Sequence, residues 1–136
     1  MSVREVLQAA AELVAAFASN DRDAYFGAFS EDASFVFHNV EQPLLSRDAY
    51  QQVWDGWRRD DGFEVLSCTS SQGVVSLQGE VAIFMHNVAT ELRLQGELYA
   101  SQERETIVFR RAPSQQDQPT GRWLACHEHL SVLPSP

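Results

Sequence analysis

The chain has 136 residues, 44% hydrophobic and 21% charged, with 19 acidic residues against 10 basic ones and a net charge of −9. Such a composition suits one ordinary globular domain spanning residues 1–136, and it offers no basic stripe for nucleic acid and no run near the ~18 apolar residues of a membrane span. All ten basic residues are arginines, which removes Schiff-base and lysine-general-base chemistry but leaves anion recognition open.

The N-terminal segment lacks the basic-then-apolar order of a secretion signal, so cytoplasmic residence is expected. Cys68 and Cys126 show neither CxxC nor zinc spacing, and both read as reduced, buried small hydrophobes.

In chain order, Val3, Val6, Leu7, Ala10, Leu13, Val14 and Phe17 form the apolar stripe of a long helix, with Ser2 and Glu5 as its capping box. Asn20 or Asp21 ends it and caps a short second helix over 21–29, whose one side carries Tyr25, Phe26 and Phe29. Residues 34–39 read as a strand, with Val36 and His38 on one face and Phe35 and Phe37 on the other. After a connection through Pro43, Ser46 caps a third helix striped by Tyr50, Val53, Trp54 and Trp57. Arg58 and Arg59 suit the negative end of its dipole, and Asp60-Asp61-Gly62 stops it.

From Phe63 the period changes to two. Strands are expected over 63–71, 74–77, 81–94 and 98–111, with turns at Ser71-Gln72-Gly73, Gln78-Gly79-Glu80 and Gln95-Gly96-Glu97. Residues 113–121 read as a polar hairpin tip. The last strand, 121–133, places Trp123, Ala125, His127, His129 and Ser131 on one face by simple alternation. Helices followed by consecutive strands give an α+β order. The expected architecture is a strongly curved antiparallel sheet with three helices from the N-terminal half on its concave face, enclosing a cavity.

Arg104-Glu-Thr106-Ile-Val-Phe-Arg-Arg111, followed by Gly121-Arg-Trp123-Leu-Ala-Cys-His127-Glu-His129-Leu-Ser131, resembles the C-terminal hairpin of the SnoaL-like group. The pattern there is Arg-x-Thr, an Arg-rich strand end, Gly-x-Trp and a strand ending in His-x-His-x-Ser. That group belongs to the nuclear transport factor 2-like superfamily, with ketosteroid isomerase and the calcium/calmodulin-dependent kinase II association domain. The resemblance spans nearly the whole chain and implies a cone-shaped, cystatin-like α+β roll with one deep pocket and a homodimer formed through the sheet. An isomerase-type Asp base with an oxyanion-binding Tyr and acid has no match on inward strand positions, which argues against steroid-isomerase chemistry. The loop before Gly121 is longer than the usual tight turn and affects the rim of the pocket.

The site residues follow from face and stripe. His127 and His129 lie about 6–7 Å apart along one strand face and stand for pocket acid/base groups or, alternatively, core histidines. Metal binding would need a third ligand such as His38 or His86 converging from elsewhere, and no spacing supports one; no metal and no cofactor are expected. Arg104, on the parity of Thr106, either meets a ligand carboxylate or pairs internally with a residue such as Glu91, leaving Glu103 and Glu105 outward. Tyr25, Trp54 and Trp57 are core residues that can also wall the pocket, and His38 ends a strand near it. His86, amid Phe84 and Val88, reads as structural.

The expected partner is a small organic molecule, with a carboxylate as one candidate headgroup, held in an apolar pocket ending in His, Arg and Tyr groups. Two further readings stand beside it. One is a cofactor-independent isomerase, cyclase or dehydratase, with His127 or His129 as acid/base and Arg104 stabilising negative charge. The other is an oligomerisation module with a vestigial pocket, using Ile107, Phe109, Leu124 and Leu130 on the outer sheet face.

Overall fold

The computed structural model describes residues 2–112 and 121–134; the hairpin tip expected over 113–121 thus lies outside the described residues except for Gly121. Eight elements follow one another: α1 (Ser2–Ala18), α2 (Arg22–Gly27), β1 (Phe29–Phe37), α3 (Arg47–Asp61), β2 (Glu64–Gln78), β3 (Val81–Leu94), β4 (Glu97–Arg111) and β5 (Trp123–Val132). The strands form one curved, unclosed sheet in the order β1-β5-β4-β3-β2. β1 runs parallel to β5, and every other neighbour pair is antiparallel.

The helices begin and end where side chains replace missing backbone partners. Asp21 accepts from the Ala24 amide at the start of α2, and Ser46 accepts from the Ala49 amide at 3.0 Å at the start of α3. α3 closes on Gly62 in the left-handed conformation, with Arg58 and Arg59 in its last turn. Asn20, at φ 60, pins the α1–α2 corner to the sheet. Its amide donates to the Val65 carbonyl and its side-chain oxygen accepts from the Val65 amide, both at 2.8 Å.

The expected stripe of α1 is narrower in the fold. Val6, Ala10 and Leu13 are buried, whereas Val3 and Leu7 face outward. Opposite them, Phe26, Phe29, Phe35, Tyr25, Tyr50 and Trp54 form a continuous aromatic cluster, with ring centroids 4.6–6.3 Å apart in tilted and edge-to-face pairs. Each such ring buries on the order of 150–250 Å², so this cluster fixes the helices to the concave face of the sheet.

Four local departures from simple periodicity shape the sheet. α2 stops at Gly27, and β1 begins at Phe29 and runs through a register shift to Ser34, so the first strand is longer than the apolar run suggested. Ser71-Gln72-Gly73 is a bulge within a continuous β2, with Gln72 at φ 56, because residues on both sides keep pairing with β3. Gly121 lies so close to the start of the hairpin that a Cβ there would come within 1.8 Å of the Ala112 carbonyl oxygen.

The fourth departure matters most. Phe109 pairs with Ala125 but Val108 pairs with His127, so Cys126 is an extra residue in β5, and a bulge of this kind reverses the facing of everything after it. Trp123 and Ala125 point to the core as expected. Beyond the bulge Glu128 and Leu130 point inward, and His127 and His129 point outward. β4 is also opposite to the expectation that put Arg104 and Thr106 inside: Glu105, Ile107 and Phe109 are buried at 6%, 0% and 1% exposure, and Arg104 is exposed. Ile107 and Phe109 therefore belong to the core rather than to an outer interface, and Leu130 lines the interior.

Candidate functional site

A cavity of about 530 Å³ opens between α1, α2, α3 and the concave sheet face. Leu13, Val14 and Phe17 supply the helical wall, Val88, Leu92 and Leu94 the β3 wall, and Phe37, Trp57, Phe63 and Tyr99 aromatic surface. Its mouth is marked by exposed Asn39, Ala100 and Tyr99. The opposite end is polar and closed: Tyr25, Tyr50, Thr90, Glu105 and Glu128 line it, and each is 6% exposed or less.

β4 and β5 bring the acids together because Glu105 is on the parity of Ile107, and Glu128, beyond the Cys126 bulge, pairs across to Ile107. A chain of hydrogen bonds crosses the sheet at this level. The Ser70 hydroxyl meets His86 Nδ1 at 2.5 Å, His86 Nε2 meets Glu105 Oε1 at 2.6 Å, and Glu105 is hydrogen-bonded to Glu128. With Glu105 ionised, His86 Nε2–H donates to it and the Ser70 hydroxyl donates to Nδ1. Glu128 Oε1 is left without a partner, which is costly for a buried polar atom. Nearer the mouth, Glu103 binds His38 Nε2 at 2.5 Å.

Burial pushes the Glu128 carboxyl well above the usual carboxylate range, and the neighbouring Glu105 charge and hydrogen bond push the same way. Glu128 thus holds its proton to higher pH than a solvent-exposed carboxyl does. Tyr25 and Tyr50, whose hydroxyls are 3.0 Å apart, are raised by burial and then by the charge of Glu128. Burial raises the Cys68 thiol to about 11, with Glu105 and Glu103 adding to it against a Thr90 hydrogen bond. The resolved shifts of Tyr25, Tyr50, Cys68 and Glu128 all favour the protonated form, through burial first and the neighbouring glutamate charges after it.

The residues expected from sequence divide between two places. Tyr25, Trp57 and His38 line the cavity, the last at its rim. Trp54, fully buried, packs behind Tyr25 and Tyr50 as core. His127, His129, Arg104 and Thr106 are outside it, on the convex face of the sheet, where Thr106 pairs with His129 and Arg104 with Ser131. His127 Nδ1 binds the Ser34 hydroxyl at 2.7 Å, and partial burial and the His129 charge lower its pKa. Glu91 binds Ser67 rather than Arg104.

Carboxyls line the closed end, and the arginine expected to meet a ligand carboxylate, Arg104, is not among the described lining residues. Sequence reasoning missed Glu103, Glu105, Glu128 and Tyr50 as site groups. The apolar parity of Ile107 and Phe109 was the available signal for the first two. Among the described residues no three His, Cys, Asp or Glu side chains converge as a metal site, and no helix is long and apolar enough to cross a membrane.

The family model for the SnoaL-like domain matches residues 6–135. No curated protein sequence matches the chain. Among solved structures, a nuclear transport factor 2-like protein of Rhodospirillum rubrum, described as of unknown function in nutrient uptake, is similar at 20% identity and TM-score 0.77, covering 95% of this chain and 98% of its own. A Novosphingobium aromaticivorans protein with a provisional scytalone dehydratase assignment reaches 15% identity and TM-score 0.77, covering 98% of this chain and 85% of its own. A Catenulispora acidiphila protein in complex with S-DNPA reaches 15% and 0.73, covering 94% and 90%. At these identities the likeness establishes the fold.

Proposed function

We propose that this chain, which belongs to the SnoaL-like domain family, binds a small, largely apolar organic molecule in the cavity between its helices and its sheet. One observation carries the reading: a cavity of about 530 Å³ with apolar and aromatic walls ends on a buried carboxyl, Glu128, whose Oε1 has no hydrogen-bond partner among the described residues. Ligand sites are commonly apolar concavities with a few convergent polar groups, and an orphaned buried oxygen costs stability until a ligand group satisfies it. The Catenulispora protein's complex supports the reading from a shared fold. A thermal-shift screen of small apolar compounds tests it. Hits are expected to stabilise the wild type and to lose their effect in Leu13→Trp, which fills the cavity. Stabilisation that persists in Leu13→Trp, or no hit from any chemical class, contradicts it.

A second reading has its own support in the Ser70–His86–Glu105–Glu128 chain. A buried carboxyl with a raised pKa beside a histidine-linked carboxylate is an arrangement suited to acid/base catalysis. If the bound molecule is turned over, the chemistry is cofactor-free proton transfer at Glu128, with His86 and Ser70 orienting Glu105. This moves the acid/base role from His127 and His129 to the opposite face of the same hairpin. A homodimer fits the convex face, where Val74, Met85, Thr106, His129 and Val36 form one row across the five strands and Val74 and Met85 are exposed at 55% and 39%. Light scattering distinguishes it from a monomer or a ring.

A further inference from the structure

Glu103, Glu105 and Glu128 all line one cavity, and no arginine does so among the described residues. Two of the three acids already have cation-capable partners, His38 for Glu103 and His86 for Glu105. Glu128 has none, is 3% exposed, and keeps one oxygen unpartnered. We propose that the cavity selects an apolar amine, bound as its ammonium ion with an N–H donated to the Glu128 carboxyl and its hydrocarbon body against the aromatic walls. The proposal rests on the cavity-binding reading above and names the ligand class for it.

The hydrogen-bond polarity narrows the choice. With Glu105 beside it and one oxygen unpartnered among the described residues, the Glu128 carboxyl can take a donor from the ligand. A ketone or ester offers none, a carboxylate adds a further negative group to an acidic site, and an alcohol offers a donor without compensating charge. An ammonium offers donors and charge together, in a site whose lining rings, Phe37, Trp57 and Tyr99, suit its alkyl or aryl body.

The groups packed around Glu128 act in one direction. Glu105 and Glu103 come from β4, Cys68 from β2, Tyr25 from α2 and Tyr50 from α3. The histidines stand behind Glu105 and Glu103 rather than against Glu128, and α1 contributes only Leu13, Val14 and Phe17. Burial first, and the neighbouring glutamates after it, raise the Glu128 pKa, and no cationic side chain among the described residues pairs with it; a ligand cation is the missing group. On binding, the amine arrives as ammonium, Glu128 gives its proton to solvent and becomes the carboxylate of an ion pair, and the hydrogen bond which that proton made to Glu105 is replaced by donors of the ammonium.

Calorimetry on the full chain near neutral pH tests this with one skeleton and three headgroups: naphthylmethylamine, naphthylmethanol and naphthoic acid, each in two buffers of different ionisation heat. The amine is expected to bind at least about tenfold more tightly than the alcohol, the acid not measurably, and only the amine to release a proton. Glu128→Gln keeps the shape and the acceptor but cannot ionise, so it is expected to erase both the preference and the proton release. Equal binding of amine and alcohol, or tightest binding of the acid, overturns the amine assignment and leaves the cavity reading standing. Failure of all three overturns the assignment, and the broader screen then decides the cavity reading. If circular dichroism shows Glu128→Gln unfolded, the wild-type heats decide alone, absence of amine-linked proton release being the contrary result.

Discussion

The two faces of the C-terminal hairpin invite comparison. The convex face has the more reactive-looking inventory, His127, His129, Thr106 and Arg104, but its groups are exposed or locally satisfied, as His127 is by Ser34. The concave face has three glutamates, Glu103, Glu105 and Glu128, among apolar neighbours, and there burial does the chemistry: a carboxyl that would be an ordinary anion in water is pushed toward its protonated form. Enclosure and the lack of an internal partner, more than density of functional groups, mark the site.

The comparison can be broken or sharpened by substitution. The largest effect is expected behind the cavity: Trp54→Ala removes a fully buried indole from the aromatic cluster and should cost about 3–5 kcal/mol in denaturant unfolding. A cost below about 1 kcal/mol would mean that the cluster does not hold the helices on the sheet.

Next comes Glu128→Leu, which should stabilise the unliganded protein by about 1–2 kcal/mol, because it exchanges an orphaned buried carboxyl for packing, while abolishing amine binding. Its pH dependence has a definite sign. The folded-state pKa of Glu128 is raised, so its proton-linked contribution is fully present below the unfolded carboxylate pKa of about 4.3 and is lost as pH rises toward the folded value. The stability advantage of Glu128→Leu should therefore grow with pH across that window; an advantage that shrinks contradicts a neutral Glu128. The smallest effect belongs to the convex face: His129→Ala, at an exposed position, should change stability by less than about 0.5 kcal/mol and leave ligand affinity unchanged.

The fold was legible because its signals are local and repeated. The Ser46 cap, the Gly62 stop, the helical stripe of Tyr50 and Trp54 and the turn at Gln95-Gly96 each stand in a few adjacent residues, and Gln95 and Gly96 take the positive φ values (53 and 78) that a tight hairpin demands. The polar composition of the site was not legible, because it depends on one residue. Alternation assigns His127 and His129 to the face of Trp123 and Ala125 only if β5 is regular, and the extra Cys126 reverses that face between Ala125 and His127. Nothing in Ala125-Cys126-His127 announces a bulge. In β4, by contrast, Ile107 and Phe109 could have shown that Glu105 points inward, had apolar parity been given priority over the attraction of an arginine in a pocket.

The central claim, that the concave-face carboxyl and not the convex-face histidines meets the ligand, is tested most directly by side-chain NMR during titration with naphthylmethylamine. The Glu128 carboxyl carbon should start at the protonated position near neutral pH and move to the ionised one, while the ring signals of His127 and His129 stay still. A Glu128 already ionised in the free protein, or shifts confined to the two histidine rings, would contradict the account.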